Sequence, residues 1–513
     1  MKNLHSLYEE LIAATCECPI TKNKYIPAQK LSEIITVTRV NEALRSKRRW
    51  RRLLFRNRGL DDKVQQTRKL IAIIALIGKL NEDSLKTLTA NGITDNRLPL
   101  SGGDDVLQNS LRNKAAWEDA NIGAFLEKQW TVLAPILDLK EGHMADIRLD
   151  EKCALEFSQC EHKETTQFSN VYFAEIRSEE IGGKPCRVAV KKFFQDAFKH
   201  YHQERENLQR ISSIDNNHLI KHLATCEQIP CIVFPWAERG DLNAFWEEES
   251  TSERNLHLVV WSLEQLAGLV SGLRDLHGEN CRHGDLKPSN ILCFKENDAG
   301  ILKISDLGVS RLHNKPTDLR AGETVTKAST RAYEGPEAHR PEQTKAPRSR
   351  TYDCWSMGCI MLEFVIWLLY DYNALECFHG ARDSEWNSYY RPKSPKPMSD
   401  GVEVMWWEEM ERHPRVDEAI QLLREDVRVR GAALEELVDL VDLNLLMVNP
   451  KDRLLAVGID EELQGILDRC RKLQTPWVNE VGDAGRPAKP EIFSQPPPMG
   501  PGTTFQVNGE TFE

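Results

Sequence analysis

A chain of 513 residues is longer than one hydrophobic core usually organises, so two or more domains are expected. Its composition, 41% hydrophobic and 28% charged, is that of a globular protein. A formal net charge of −11 argues against wholesale coating of nucleic acid, which needs a cationic surface.

Thirteen cysteines are scattered along the chain without a Cys-x-x-Cys pair, and Cys16-x-Cys18 reads as two thiols rather than half a zinc site. Met1-Lys2-Asn3-Leu4-His5 lacks the apolar stretch of a secretory signal. Free thiols without an export signal imply a reducing intracellular compartment, cytoplasmic or nuclear. No membrane span is expected: Ile71 to Ile77 is short, and Cys359 to Leu369 is interrupted by Glu363.

Residues 1 to 125 read as helical, because Leu4, Leu7, Leu11 and Ile12, then Leu31, Ile34 and Ile35, then Leu70, Ile73, Ile74 and Ile77 recur at helical spacing. Ser101-Gly102-Gly103-Asp104-Asp105 marks a loop. Arg45 to Arg58 carries eight Lys or Arg among Trp50, Leu53, Leu54 and Phe55. It reads either as an amphipathic helix with a solvated cationic side or as a patch for an anionic partner or nuclear import. Residues 126 to 150 read as a linker.

From 151 to 475 strands come first and helices dominate later. Arg187-Val188-Ala189-Val190-Lys191-Lys192 is a β-branched strand whose alternation puts Ala189 and Lys191 on one face, with Val190 and Lys192 on the other. The following helix places Ala197, Tyr201, Glu204, Leu208 and Ile211 on one stripe, and Glu206 on the opposite side. A carboxylate on an apolar stripe needs a cationic partner. Cys231-Ile232-Val233-Phe234 reads as a buried strand leading into Pro235-Trp236-Ala237. Val260, Leu263, Ala267, Val270, Leu273 and His277 define a helix ending near Gly278. From Thr475 the chain turns rich in Pro, Gly and polar residues, so residues 476 to 513 read as a flexible tail.

The most telling stretch is His283-Gly284-Asp285-Leu286-Lys287-Pro288-Ser289-Asn290, with Asp306-Leu307-Gly308 sixteen residues beyond Asn290. One carboxylate, an amide five residues on and a second carboxylate supply a proton acceptor and two oxygen ligands for magnesium. The segment resembles the catalytic loop and metal motif of the eukaryotic protein kinase family. Thr330-Arg331-Ala332-Tyr333-Glu334-Gly335-Pro336-Glu337, Tyr352-Asp353-Cys354-Trp355-Ser356-Met357-Gly358 and Asn449-Pro450-Lys451-Asp452-Arg453 resemble its later motifs, in the family's order. Tyr25-Ile26-Pro27 and Gln129-Trp130 with Leu133-Ala134-Pro135 resemble patterns in filamentous-fungal kinase-like proteins.

The resemblance implies an α+β fold of two lobes, a small β-rich one and a large helical one, preceded by a helical region. It implies Mg²⁺ and ATP as cofactors and a protein hydroxyl as substrate. Asp285 would be the general base and Lys287 would steady the transferred group, with Asn290 and Asp306 holding Mg²⁺. Lys191 would reach the phosphates and pair with Glu204, with Lys192 its solvated neighbour. Val171 and Ala189 would border adenine, Phe234 would be the gatekeeper, and the backbone of Trp236 and Ala237 would hold adenine's edge. Lysine two residues after the aspartate is what serine/threonine kinases carry. Asp353 should hold the catalytic-loop backbone, and Arg453 should pair with Glu337.

Two departures matter. Aligning Val171 with the family's G-x-G-x-x-G-x-V puts Glu164, Thr166 and Ser169 where glycines belong, and side chains there obstruct close approach to phosphates. Gly284 replaces the arginine that would pair with a phosphate on the activation segment, so phosphorylation of Thr326, Ser329 or Thr330 is not expected to be the main switch. Between Tyr370 and Glu436 lies a long segment with Met405-Trp406-Trp407, read as packing or as substrate docking. A scaffold with the kinase fold but no turnover stays open as an alternative. A small-molecule phosphotransferase of the aminoglycoside or choline type is a further one.

Overall fold

The computed structural model describes all residues except 1, 45–63, 135–144, 148–149, 158, 178–184, 252–254, 297–299, 307–331, 340–349, 383–388, 394–409, 482–486, 495–504, 508–509 and 513. The basic run 45–58, the Met405-Trp406-Trp407 segment and Thr326, Ser329 and Thr330 therefore lie outside the described residues. Two compact units divide the chain: Met1–Tyr201 with His222–Trp236, and His202–Lys221 with Ala237–Glu513.

The first unit opens with helices α1 (Lys2–Ala13), α2 (Ala28–Ile34), α3 (Val37–Leu44), α4 (Arg68–Leu76), α5 (Glu82–Ala90), α6 (Leu111–Ala115) and α7 (Asp119–Lys128). They share one core that includes Leu7, Leu11, Leu31, Ile35, Leu88 and Phe125. Helix α4 is buried at every position from Leu70 to Leu76, which is why its sequence is apolar all round. The Asp95 carboxylate accepts from the backbone N–H groups of Lys69 and Leu70, both at 2.9 Å, satisfying donors at the start of α4. Helical structure continues through α7 and a short 3₁₀ turn to Val132, into the stretch read as a linker.

A hairpin of β1 (Cys16–Glu17) and β2 (Lys24–Tyr25) interrupts these helices. The main sheet contains β3 (Ala145–Ile147), β4 (Gln159–Thr165), β5 (Ser169–Arg177), β6 (Pro185–Phe193), β7 (Ala224–Cys226) and β8 (Cys231–Pro235). Their order is β3-β7-β8-β6-β5-β4, antiparallel except for the parallel β3–β7 pair. The pleat gives the sheet two unlike faces. Val188 and Val190 of β6, Ala174 and Ile176 of β5 and Val233 of β8 share a buried core with Cys18, Ile20 and Tyr25 of the N-terminal hairpin.

In the second unit, which takes most of helix α8 (Phe198–Ile211), the main elements are α9 (Leu242–Glu248), α10 (Leu256–Gly278), hairpin β9 (Ile291–Phe294)–β10 (Ile301–Ile304), α11 (Thr351–Leu369), α12 (Tyr372–Ala381), α13 (Pro414–Glu425), α14 (Ala433–Leu440) and α15 (Ala456–Arg471). Asn255 caps α10, accepting from Leu258 N at 3.0 Å. Gly268 lets His218 lie against that helix, since a Cβ there would meet the imidazole at 2.0 Å. Helices α10 and α11 are long and apolar enough to cross a membrane by length and composition, contrary to the reading of the sequence. Every residue of α11 is nevertheless buried inside the unit, so it serves as a core helix.

Glu363, on α11, is fully buried and fully engaged. Its carboxylate accepts from Tyr333 Oη at 2.8 Å, Tyr389 Oη at 2.7 Å and His379 Nε2 at 2.8 Å, with Arg382 at 3.6 Å. The tail expectation fails in part. Ile492 and Phe493 are buried, the Phe493 ring packs tilted against Tyr370 with centroids 5.0 Å apart, and Lys489 pairs with Asp371 at 2.7 Å. Phe505–Val507 and Glu510–Phe512 pair as a short hairpin. Composition hid these anchors, because one aromatic and one lysine decide the docking of an otherwise polar segment.

Candidate active site

In the second unit, the segment after α10 is held by a buried carboxylate. Asp353 accepts from His283 N at 2.9 Å, Gly284 N at 2.8 Å and His277 Nε2 at 3.0 Å. Burial alone would raise its pKa, but the His277 hydrogen bond and the charges around it win, so its carboxyl lies below the usual range. The expectation for Asp353 thus holds. Its third partner, His277, was missed; the available signal was a histidine on an apolar helix face, which needs a partner when buried.

The loop so pinned brings three expected residues together. Lys287 Nζ lies 3.0 Å from Asp285 Oδ2, and Asn290 Nδ2 donates to Asp285 O at 2.6 Å and to Oδ2 at 3.2 Å. His283 is fully buried; its Nε2 meets Ser305 O at 2.7 Å and its Nδ1 accepts from Asp285 N at 3.3 Å. It is a structural strut between the loop and the segment carrying Asp306. Ser305 closes the arrangement by donating its N–H and hydroxyl to Asn290 O at 2.8 and 2.9 Å. Asp306 follows directly, at φ +55°. A left-handed aspartate costs about 1–3 kcal/mol and persists only where its surroundings enforce it, and such outliers gather at functional sites. Gly284 sits at φ +80°, where an L-residue would be strained, so glycine fits the backbone that Asp353 holds.

In the first unit, four expected residues, joined by Phe173, fall at one side of the sheet. The register pairs Val171 with Lys191 and Ala189 with both Phe173 and Phe234, so alternation puts Val171, Phe173, Ala189, Lys191 and Phe234 on the face away from the N-terminal hairpin. Trp236 sets its ring edge-on to Phe173 at 4.8 Å. Its N–H donates to Arg187 O at 3.2 Å, so of its backbone only the carbonyl remains to hold an adenine edge. Ala237, the next residue, belongs to the second unit and is buried. Glu204, also of the second unit, is 4% exposed while Glu206 is exposed, as the helical spacing indicated.

One expectation needs correction. Lys192 is not a solvated neighbour: it is half-buried on the hairpin side and donates to Ile20 O. The stretch aligned with the phosphate-covering loop is a tight hairpin. Thr166 N donates to Ser169 O at 2.8 Å, while Ser169 N and Phe168 N both donate to Thr166 Oγ1, at 3.1 and 3.3 Å. No residue from 164 to 170 has positive φ, so this turn needs no glycine. Phe168 stacks on His200 with ring centroids 3.7 Å apart, anchoring the tip.

Pairing later in the second unit is as expected. Arg453 meets Glu337 in a fork, Nη1 to Oε1 at 2.7 Å and Nη2 to Oε2 at 2.9 Å.

Comparison with known proteins agrees with this geometry. Residues 168–458 match the family model for the protein kinase domain. Serine/threonine-protein kinase SSN3 of Yarrowia lipolytica is 30% identical over 213 residues, 39% of this chain and 48% of that protein. A mitogen-activated protein kinase homolog, NTF6 of Nicotiana tabacum, is 31% identical over 192 residues, 35% of this chain and 46% of that protein. GLH-binding kinase 1 of Caenorhabditis elegans is 38% identical over 144 residues, 24% of this chain and 34% of that protein. The matches thus span less than half the length of each of these relatives.

Proposed function

The chain belongs to the protein kinase domain family, and from that premise we propose that it transfers the γ-phosphate of ATP to a serine or threonine hydroxyl of a protein. The observation that carries this reading is the cluster of Asp285, Lys287 and Asn290 on a loop pinned by Asp353. Asp285 takes the proton of the attacking hydroxyl, and Lys287 beside it balances charge that develops on the transferred group. Asn290 turns its amide nitrogen to Asp285, which leaves its carbonyl oxygen as a ligand. With the Asp306 carboxylate this makes a hard, all-oxygen donor pair that suits Mg²⁺. Bound Mg²⁺ would neutralise the phosphate oxygens during transfer. Lys191 grips the phosphates, while Val171, Ala189 and Phe234 border the base. Purified protein is to be assayed for Mg-ATP turnover beside Asp285→Asn and Lys191→Met. Equal signals from all three would end the enzyme reading.

A second reading, a non-catalytic scaffold, is favoured by the β4–β5 hairpin. The N–H groups of Thr166, Phe168 and Ser169 are spent within the turn, so these three do not cradle phosphates. Thermal-shift titration with Mg-ATP separates a nucleotide-free scaffold from the kinase reading, because only the latter requires a shift. All thirteen cysteines are free thiols, which supports a reducing compartment for either reading.

A further inference from the structure

Two motifs that the catalytic reading leaves unused, Tyr25-Ile26-Pro27 and Gln129-Trp130 with Leu133-Ala134, meet in the first unit. Ile26 N donates to Thr131 O at 2.7 Å, and Gln129 is tied to Leu100 by two buried hydrogen bonds of 2.8 and 3.0 Å. Tyr25 is buried in the core beneath the sheet, whereas Ile26, its neighbour, is buried in the core of the helices. The two cores therefore meet at the Tyr25–Ile26 peptide, and again between Val132 and Ala134.

From this joint the hairpin β1–β2 reaches the rear of the sheet. Tyr25 Oη donates to Phe157 O at 3.1 Å, and Asn23 Nδ2 donates to Glu151 O and Cys153 O at 2.8 and 2.9 Å. The Glu156 carboxylate accepts from Ala28 N at 3.1 Å. Lys192 then ties β6 itself to the hairpin through Ile20 O. Lys191, one residue away, points to the opposite face by strand alternation. The buried Val188 and Val190 complete the contact from behind.

We infer that the hairpin at residues 16–28 and Lys192 form a latch that sets the position of the Lys191 strand from behind, so that the N-terminal region governs nucleotide affinity without contacting nucleotide. Lys192 and Tyr25 are positioning residues. The inference deepens the kinase reading and rests on it for the role of Lys191. Without the latch, β6 keeps its sheet partners but loses its rear support, so the lysine samples more positions and the nucleotide must select among them.

The test uses the full chain with Lys192→Met, which keeps the stem and removes the donor, and Tyr25→Phe. Leu463→Ala, a buried change in the second unit, is the control for general loss of stability. Each latch variant is expected to raise KM for ATP about threefold or more with kcat within about twofold, while the control lowers Tm and leaves KM unchanged. Amide hydrogen exchange on the nucleotide-free protein should quicken in residues 185–193 of the latch variants and not of the control. Unchanged KM in both latch variants overturns the inference. If wild-type protein neither binds nor turns over ATP, the kinase reading has failed instead. Exchange at 185–193 then decides the latch alone, and unaltered protection there overturns it.

Discussion

Replacing Arg453 by Met tests whether the fork with Glu337 organises the second unit. The Arg453 side chain is fully buried and that of Glu337 is 10% exposed. Besides the two carboxylate bonds, Arg453 donates to Met447 O at 2.6 Å and to Thr351 O and Val448 O, both at 3.2 Å, and covers the Trp355 ring at 4.8 Å. Methionine fills part of the space and satisfies none of these acceptors. Breaking one half of a buried pair costs about 3–5 kcal/mol, chiefly because the surviving charge is stranded. At about 2–4 °C per kcal/mol for a unit of this size, the thermal midpoint should fall by roughly 6–20 °C. The diagnostic comparison is with the double variant Arg453→Met/Glu337→Leu. Removing both partners leaves no orphaned carboxylate, so the double variant should lose less than the sum of the singles. Calorimetry that resolves the two units is the measurement. A fall below about 2 °C for Arg453→Met, or strict additivity, would refute the argument that an unpaired buried charge dominates the cost.

Two glycines give sharper steric tests. A Cβ at Gly335 would meet the Glu337 carboxylate at 2.6 to 2.9 Å, so Gly335→Ala should destabilise by about 1–3 kcal/mol in a urea titration. Gly268→Ala should cost more, since the His218 ring at 2.0 Å is held by its 2.8 Å bond to Leu302 O; a neutral result would mean the ring has room to swing. The Glu363 network sets a pH dependence. Burial raises the Glu363 pKa, but His379 and Arg382 outweigh it and lower it, so its stabilisation is present above the ordinary carboxylate range and is lost as pH falls through the depressed value. For His379, burial lowers the pKa but Glu363 outweighs it and raises it, so that contribution is complete below the ordinary imidazole range and fades as pH rises through the elevated value. Glu363→Gln should therefore flatten both limbs of a stability–pH profile measured by denaturant midpoints, and an unaltered profile would refute the assignment.

How much was legible depends on how far apart in sequence the interacting residues lie. Asp285, Lys287 and Asn290 meet because they share one short loop, and a motif of that kind is readable from its spacing alone. Arg453 and Glu337, 116 residues apart, were paired only through resemblance. The role of Lys192 was misread because its partner Ile20 is 172 residues away and accepts through a carbonyl, which any residue possesses. Such a contact leaves no mark on side-chain pattern. His277 was visible as a helix-face histidine, yet only the fold shows that the carboxylate it meets also holds the loop. Composition misled at the other end, where Ile492, Phe493 and Lys489 outweigh the prolines around them.

The hairpin at Thr166–Ser169 shows why the departures do not all point the same way. The Thr166 hydroxyl and the Ser169 carbonyl accept the N–H groups that glycines elsewhere leave free, which removes one source of phosphate affinity. Yet the chain retains, at evident cost, a buried Asp353 with three donors, a left-handed Asp306 and a fully enclosed His283 joining them. A surface used only for docking does not require Lys287 and Asn290 each to be held within about one hydrogen-bond length of Asp285. Strain and buried charge of this kind persist where they serve a site, because otherwise substitution to apolar residues would stabilise the fold. The expected consequence is a kinase that binds nucleotide weakly and depends more on metal and on Lys191 than on its hairpin. Thr166→Gly should therefore change KM for ATP by less than about threefold, whereas Lys191→Met should abolish turnover. A larger effect at Thr166 than at Lys191, measured in one steady-state assay, would reverse that order and place the phosphates on the hairpin after all.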